Sequence, residues 1–276
     1  MTKGYIFDYG GTLDTGGNHW GKVIWHAYER CRVPVTEQQF REAYVYAERT
    51  LGRNPIIQPD FTFRQTLEEK LRLQLEFLND ELNEELRMKN EEFATAPPTS
   101  AAAKPTSAAA GKSTSAAANS CVPLVASEQS SSASFFILHS SLLSDLYAHT
   151  QAETARSREV LLRLKARYPM VLVSNFYGNV GVVLREFGLD GIFQSIVESA
   201  VVGVRKPDPR IFTLGVEALG LKPEEVTVVG DSIDKDIIPA KKAGCQTVWF
   251  KGEGWTDEPV DESQADKVIT RLDEVV

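Results

Sequence analysis

Two rhythms of hydrophobic and polar residues divide the chain. Between 19 and 93 apolar residues recur every three or four positions: Trp20, Val23, Ile24, Ala27 and Tyr28, then Leu67, Leu71, Leu75, Leu78, Leu82 and Leu86, with Glu and Lys between. That spacing predicts amphipathic helices. Thr36 followed three residues later by Gln39 is a capping box opening a helix over 36–51. Gly52, Pro55 and Pro59 break the chain before a long helix over 62–93, whose leucine stripe is a packing face, within the chain or against another subunit. One or two further helices fill 135–168. From 170 the rhythm shortens. Met170–Ser174, Ile192–Glu198, Val226–Gly230 and Thr247–Phe250 read as short apolar strands, with helices between them at Pro209–Leu219 and Ile237–Ala243. Lys3–Asp8 is one more strand of this kind. Strands alternating with helices predict βαβ units and a parallel sheet. The expected organisation is an α/β core from residues 1–15 and 169–276, interrupted by a helical domain over 16–168.

Residues 94–134 follow neither rhythm. Ala, Ser, Thr and Pro fill 31 of these 41 positions, and Pro-Thr-Ser-Ala-Ala-Ala occurs at both 98–103 and 105–110. A repeat this short, with almost no large apolar side chain before Val122, cannot offset the entropy of ordering. It reads as a flexible insertion. Replacing 95–133 with a short Gly/Ser linker is expected to leave the melting temperature unchanged, and loss of soluble folded protein would overturn that reading.

Composition narrows the function. The chain has 276 residues, enough for one or two domains. Its 38 acidic residues exceed its 30 basic ones, for a formal net charge of −8, which argues against a nucleic-acid partner. No run approaches a membrane span. Cys31, Cys121 and Cys245 are too few and scattered for a disulfide framework or a zinc site and read as free thiols. A cytoplasmic protein is expected, a monomer or small homo-oligomer without membrane attachment.

Parallel sheets bind ligands beyond the carboxyl ends of their strands. Polar clusters stand at four such ends: Asp8-Tyr9-Gly10-Gly11-Thr12 with Asp14; Ser174-Asn175; Arg205-Lys206-Pro207-Asp208; and Gly230-Asp231-Ser232 with Asp236. Together they offer carboxylates, a hydroxyl and an ammonium, a set able to hold a divalent cation, bind a phosphoryl group and supply an anionic nucleophile. Taken singly each is an ordinary turn or cap; their order gives them meaning.

In that order they resemble the four motifs of the haloacid dehalogenase superfamily: Asp8 to Thr12, Ser174, Lys206, and Asp231 with Asp236. The resemblance covers the first 15 residues and roughly the last hundred. It implies a Rossmann-like parallel sheet with an inserted type-one helical cap. It also implies an Mg²⁺-dependent hydrolase of a small phosphorylated metabolite, working through an aspartyl-phosphate. Asp8 would be the nucleophile. Asp8, the carbonyl of Gly10 and Asp231 would ligate the metal. Gly11, Thr12, Ser174, Asn175 and Lys206 would bind substrate, and Asp236 would orient Lys206 or a metal-bound water.

One position departs from that pattern. The family's phosphatases carry a second Asp two residues after the nucleophile, as the acid and base. Here it is Gly10. General acid–base catalysis is typically worth ~10²–10⁴-fold. Three readings are open: another group substitutes, with Asp14, His19 or a cap residue as candidates; the leaving group needs no proton; or the chain is a catalytically impaired binding or regulatory protein. Dehalogenases and phosphonate hydrolases also lack this Asp. Asp231 and Asp236 favour phosphoryl chemistry over metal-free dehalogenation. Arg49 and Arg53, in the cap segment where the phosphonate enzymes carry a Schiff-base lysine, cannot form that adduct. Phosphomonoester hydrolysis ranks first, dehalogenation second and phosphonate cleavage third.

Overall fold

The computed structural model describes residues 1–95, 128–256 and 258–276. Its centre is a six-stranded sheet: β1 (Gly4–Phe7), β2 (Met170–Ser174), β3 (Ser195–Glu198), β4 (Val226–Gly230), β5 (Gln246–Phe250) and β6 (Lys267–Ile269). All pairings are parallel, in the order β3-β2-β1-β4-β5-β6. Successive side chains on a strand point to opposite faces. Tyr5, Phe7, Met170, Leu172 and Val229 enter one apolar cluster, while Ile6, Val171, Val173 and Val228 enter the other. Both faces are therefore buried, as near-continuous apolar strands require. The three-residue β6 carries too little pattern to be seen in the sequence.

Helices cover both faces. Ile211, Phe212, Val216 and Leu219 of α7 (Arg210–Leu219), with Ala240 of α8 (Ile238–Lys242), fill the second cluster. The first cluster extends from the sheet through α5 (Val180–Glu186) into α1 (Trp20–Arg30), α2 (Glu37–Arg53), α3 (Phe63–Thr95) and α4 (Glu128–Lys165). The four-residue α6 (Ser199–Val202) follows β3 directly. Both halves of the Thr36–Gln39 capping box form at the start of α2. Leu67, Leu71, Leu75 and Leu78 are buried in this cluster, so that part of the stripe packs within the chain. One helix, α4, occupies the segment expected to hold one or two. The low-complexity expectation for 94–134 falls largely on 96–127, outside the described residues; at its edges α3 runs to Thr95 and α4 opens at Glu128. Among the described residues no helix is long and apolar enough to cross a membrane.

Candidate active site

The strand order reverses between β1 and β4, which opens a crevice at their carboxyl ends. Asp8 follows the last residue of β1 and Asp231 the last residue of β4, so the two carboxylates flank it. Ser174 ends β2. Lys206 arrives on the loop beyond α6, and Asn175 fixes it there: the Asn175 amide donates to the Lys206 carbonyl (3.1 Å) and accepts from the Lys206 N–H (3.0 Å). The Lys206 ammonium then donates to Asp8 Oδ1 and Asp236 Oδ1, each at 2.6 Å. Asp236 is held in turn by the Ser232 N–H at 3.1 Å. Oxygens of Asp8, Asp231 and Asp236 lie within 4.8 Å of one another. The Thr12 hydroxyl, fully buried, lies 3.0 Å from Asp231 Oδ1 and 3.3 Å from Asp8 Oδ2, so its one proton is shared between the two carboxylates, and it stays out of the cavity wall.

The charges are out of balance. Burial raises the Asp8 carboxyl above its ordinary pKa against the pull of Lys206. Burial, then Asp236 and Asp8, push the Asp231 carboxyl well above its ordinary pKa. Burial opposes the charge on Lys206, but Asp236 and Asp8 outweigh it and hold the ammonium above its ordinary value. Among the described residues Lys206 is ion-paired with two of these three crowded carboxylates, Asp8 and Asp236. Their donors are hard oxygens, and the buried Ser174 hydroxyl beside them has no hydrogen-bond partner among the described residues. Such a set fits a small divalent cation and a phosphoryl group.

The two glycines of the first loop do different things. Gly11 has φ +98°, and a Cβ there would meet the Asp231 carboxylate at 2.4 Å, so no other residue fits. Gly10 has no positive φ. A Cβ there meets only the Trp20 indole nitrogen, at 3.9 Å, so its space is open.

The cavity above these groups has a volume of about 160 Å³. Asp8, Gly10, Gly11, Ser174, Asn175, Lys206, Asp231 and Asp236 line its floor, so every proposed site residue except Thr12 reaches it. Its other wall comes from the helical insertion. Trp20, Tyr44 and Phe63 face the cavity, as do His19, Glu48 and Lys70. Lys70 is 2.6 Å from Glu48 and stands over the Trp20 and Tyr177 rings. Tyr177, Arg205 and Lys235 complete the wall; each lies within four residues of a motif residue, a proximity that could have marked them. Glu48 and Lys70 carry no such signal, since nothing in a helical stripe says which turn meets a site on another element.

A family model described as haloacid dehalogenase-like hydrolase matches residues 137–244. Over that stretch the chain is similar to the haloacid dehalogenase-like hydrolases. The matched stretch contains Ser174, Lys206, Asp231 and Asp236; the sheet pairing of β1 with β2 and β4 brings Asp8 to them. Relatives include a glyceraldehyde 3-phosphate phosphatase of Pyrococcus furiosus, 36% identical over 128 residues, which cover 45% of this chain and 53% of that protein. A phosphoserine phosphatase of Thermus thermophilus is 44% identical over 62 residues, 22% of this chain and 25% of that one. The chain thus spans about half the length of the first relative and a quarter of the second. Among solved structures, a dehalogenase with an intermediate complex superposes with a TM-score of 0.53 at 16% identity, covering 99% of this chain and 95% of that one. A HAD-hydrolase of Bacillus subtilis bound to magnesium gives 0.50 at 14%, covering 99% and 96%. At such identities these two speak to the fold alone.

Proposed function

We propose that this chain is an Mg²⁺-dependent phosphatase of small phosphomonoesters, with residues 1–15 and 169–276 as catalytic core and 16–168 as cap. The observation that carries the reading is the Lys206-bridged carboxylate cluster beside the Ser174 hydroxyl, which has no hydrogen-bond partner among the described residues. The small cavity and the phosphatase names of the relatives support it. Asp8 attacks phosphorus through the oxygen not held by Lys206 and forms an aspartyl-phosphate, which divides one difficult displacement into two easier ones. Ser174 and Lys206 donate to the phosphoryl oxygens, where Lys206 also offsets repulsion between nucleophile and substrate. Asp236 and Asn175 keep Lys206 in place from its two ends. Asp8, Asp231 and the Gly10 carbonyl are the residues to hold Mg²⁺, whose charge, when bound, neutralises the carboxylates and the transferring group. The Glu48–Lys70 pair faces the part of the substrate beyond the phosphate.

The test joins metal binding to turnover. Wild-type protein is expected to release inorganic phosphate from C2–C4 phosphomonoesters in Mg²⁺ and to stop in EDTA. Asp231→Asn should weaken Mg²⁺ binding at least about tenfold in a calorimetric titration, because it removes a charged ligand. Unchanged Mg²⁺ affinity would move the metal elsewhere, and halide release from 2-haloacids without phosphate release would replace this reading with dehalogenation.

A further inference from the structure

We infer that Asp14 is the acid and base of this site, acting in the space that Gly10 leaves open, with Trp20 as its positioning residue. The inference rests on the phosphatase reading above. Asp14 is 1% exposed and lines the same cavity as Asp8, Ser174 and Lys206. The open space at residue 10 ends at the Trp20 indole nitrogen. That same N–H donates to Asp14 Oδ2 at 3.1 Å. The turn made by Gly11 thus brings a carboxyl from four residues further along the chain to the neighbourhood a residue-10 carboxyl would occupy. The other oxygen, Oδ1, accepts from the Gly11 N–H at 2.7 Å. Both partners are neutral donors, and a protonated carboxyl keeps one O–H to give while accepting at each oxygen.

The surroundings favour that proton. Among the described residues no cation forms an ion pair with Asp14. Burial first, with Asp8 adding to it, pushes its pKa up to about 7 against the hydrogen bonds from Gly11 and Trp20. The Tyr9 hydroxyl and Asp8 face it from the end of β1, Trp20 from α1, and Lys70 of α3 lies beyond the Trp20 ring. A proton held into the neutral range suits a group that must both give and take it.

The other candidates on the cavity wall fail on chemistry. His19 spends its Nδ1 lone pair on the Gly21 N–H (3.0 Å), and burial followed by Lys235 lowers its pKa to about 4, so it has no second proton to give near neutrality. Burial and then Glu48 push Tyr177 up to about 12 and hold Tyr44 above its ordinary value. For Lys70 burial opposes the charge, but Glu48 overrides it and locks the ammonium in its protonated form.

The steps balance as follows. An Asp8 oxygen bonds to phosphorus, the bond from phosphorus to the ester oxygen breaks, and the Asp14 proton passes to that oxygen as the alcohol leaves. Asp14, now a carboxylate, takes a proton from water while the water oxygen bonds to phosphorus. The bond from phosphorus to Asp8 then breaks, phosphate departs, and both carboxyls regain their starting forms. Transfer at each step is direct or through one water.

The experiment compares an aryl ester, 4-nitrophenyl phosphate, with an alkyl ester, glycerol phosphate, in Mg²⁺. Asp14→Asn is expected to lower kcat/KM for the alkyl ester by ~10²–10⁴-fold and for the aryl ester by less than about tenfold, because nitrophenolate leaves without a proton. kcat should fall for both, with a burst of one nitrophenolate per site as the aspartyl-phosphate accumulates. Adding Gly10→Asp to Asp14→Asn should restore alkyl turnover at least about tenfold. Trp20→Phe supplies a second readout should Asp14→Asn fail to fold. Losing a hydrogen bond that favours the ionised carboxyl should move the basic limb of the alkyl kcat/KM profile to higher pH and leave the aryl profile in place. Equal losses on both esters in Asp14→Asn, or an unmoved limb in Trp20→Phe, would overturn the assignment. Failure of the wild-type protein to hydrolyse even 4-nitrophenyl phosphate would sink the phosphatase reading and this inference with it, and is distinguished by needing no variant.

Discussion

Asp8→Asn is expected to lower kcat by about 10⁴-fold or more while leaving the fold intact. The amide is nearly the same size as the carboxyl, so the packing at the end of β1 is kept. It cannot attack phosphorus as an anion, and the other described carboxylates at the crevice are engaged: Asp236 by Lys206 and the Ser232 N–H, Asp231 by Thr12 against the Gly11 backbone, Asp14 by the Gly11 and Trp20 N–H groups, and Glu48 by Lys70. Removing one of three crowded carboxylates also relieves repulsion, so the thermal midpoint without Mg²⁺ should stay level or rise. Acid-quenched wild-type protein should carry a phosphoryl group on the peptide containing Asp8, and the variant none. Activity above about 1% of wild type would show that Asp8 is not the nucleophile.

Lys206→Met should act in the opposite direction on stability. The ammonium is the cation between Asp8 and Asp236, 2% exposed and 2.6 Å from each. Breaking a buried ion pair by deleting one partner typically costs about 3–5 kcal/mol, because the remaining charge is left without compensation. The cost should depend on pH with a definite sign. Lys206 lowers the Asp8 pKa that burial raises, so its loss lifts the native-state value further above the unfolded one. A carboxyl with a raised native pKa stabilises the fold while protonated and loses that contribution as pH rises through the native value. The deficit measured by urea unfolding without metal should therefore be larger at pH 8 than at pH 5. An equal deficit at both would mean that the lysine contributes packing and not charge compensation.

Residues that act within a few positions of one another were legible from the sequence. A strand shows in an apolar run of four or five residues, the α2 cap in Thr36 and Gln39, and much of the cavity floor in polar residues that directly follow strands. Because parallel strands all end on one side, Asp8, Ser174 and Asp231 had to meet once the strands were recognised, whereas Lys206, on the loop beyond α6, is brought to them by its two hydrogen bonds with Asn175. Most boundaries moved by one to three residues, where end residues lack partners to fix them, while α4 opens at Glu128, seven residues before the expected start at 135. What remained hidden depends on contacts between elements. The burial of Trp20, Tyr44 and Phe63 is the same in the one-dimensional pattern whether they face a core or a cavity; only the docking of α1, α2 and α3 over the sheet turned them toward Asp8. Glu48 and Lys70, 22 positions apart in the chain, become an ion pair through the packing of α2 on α3. Gly10 looked in the sequence like a missing acid. Whether another carboxyl could stand near that gap depended on the left-handed turn at Gly11 and on the Trp20 indole reaching back from α1, and both are properties of the folded chain.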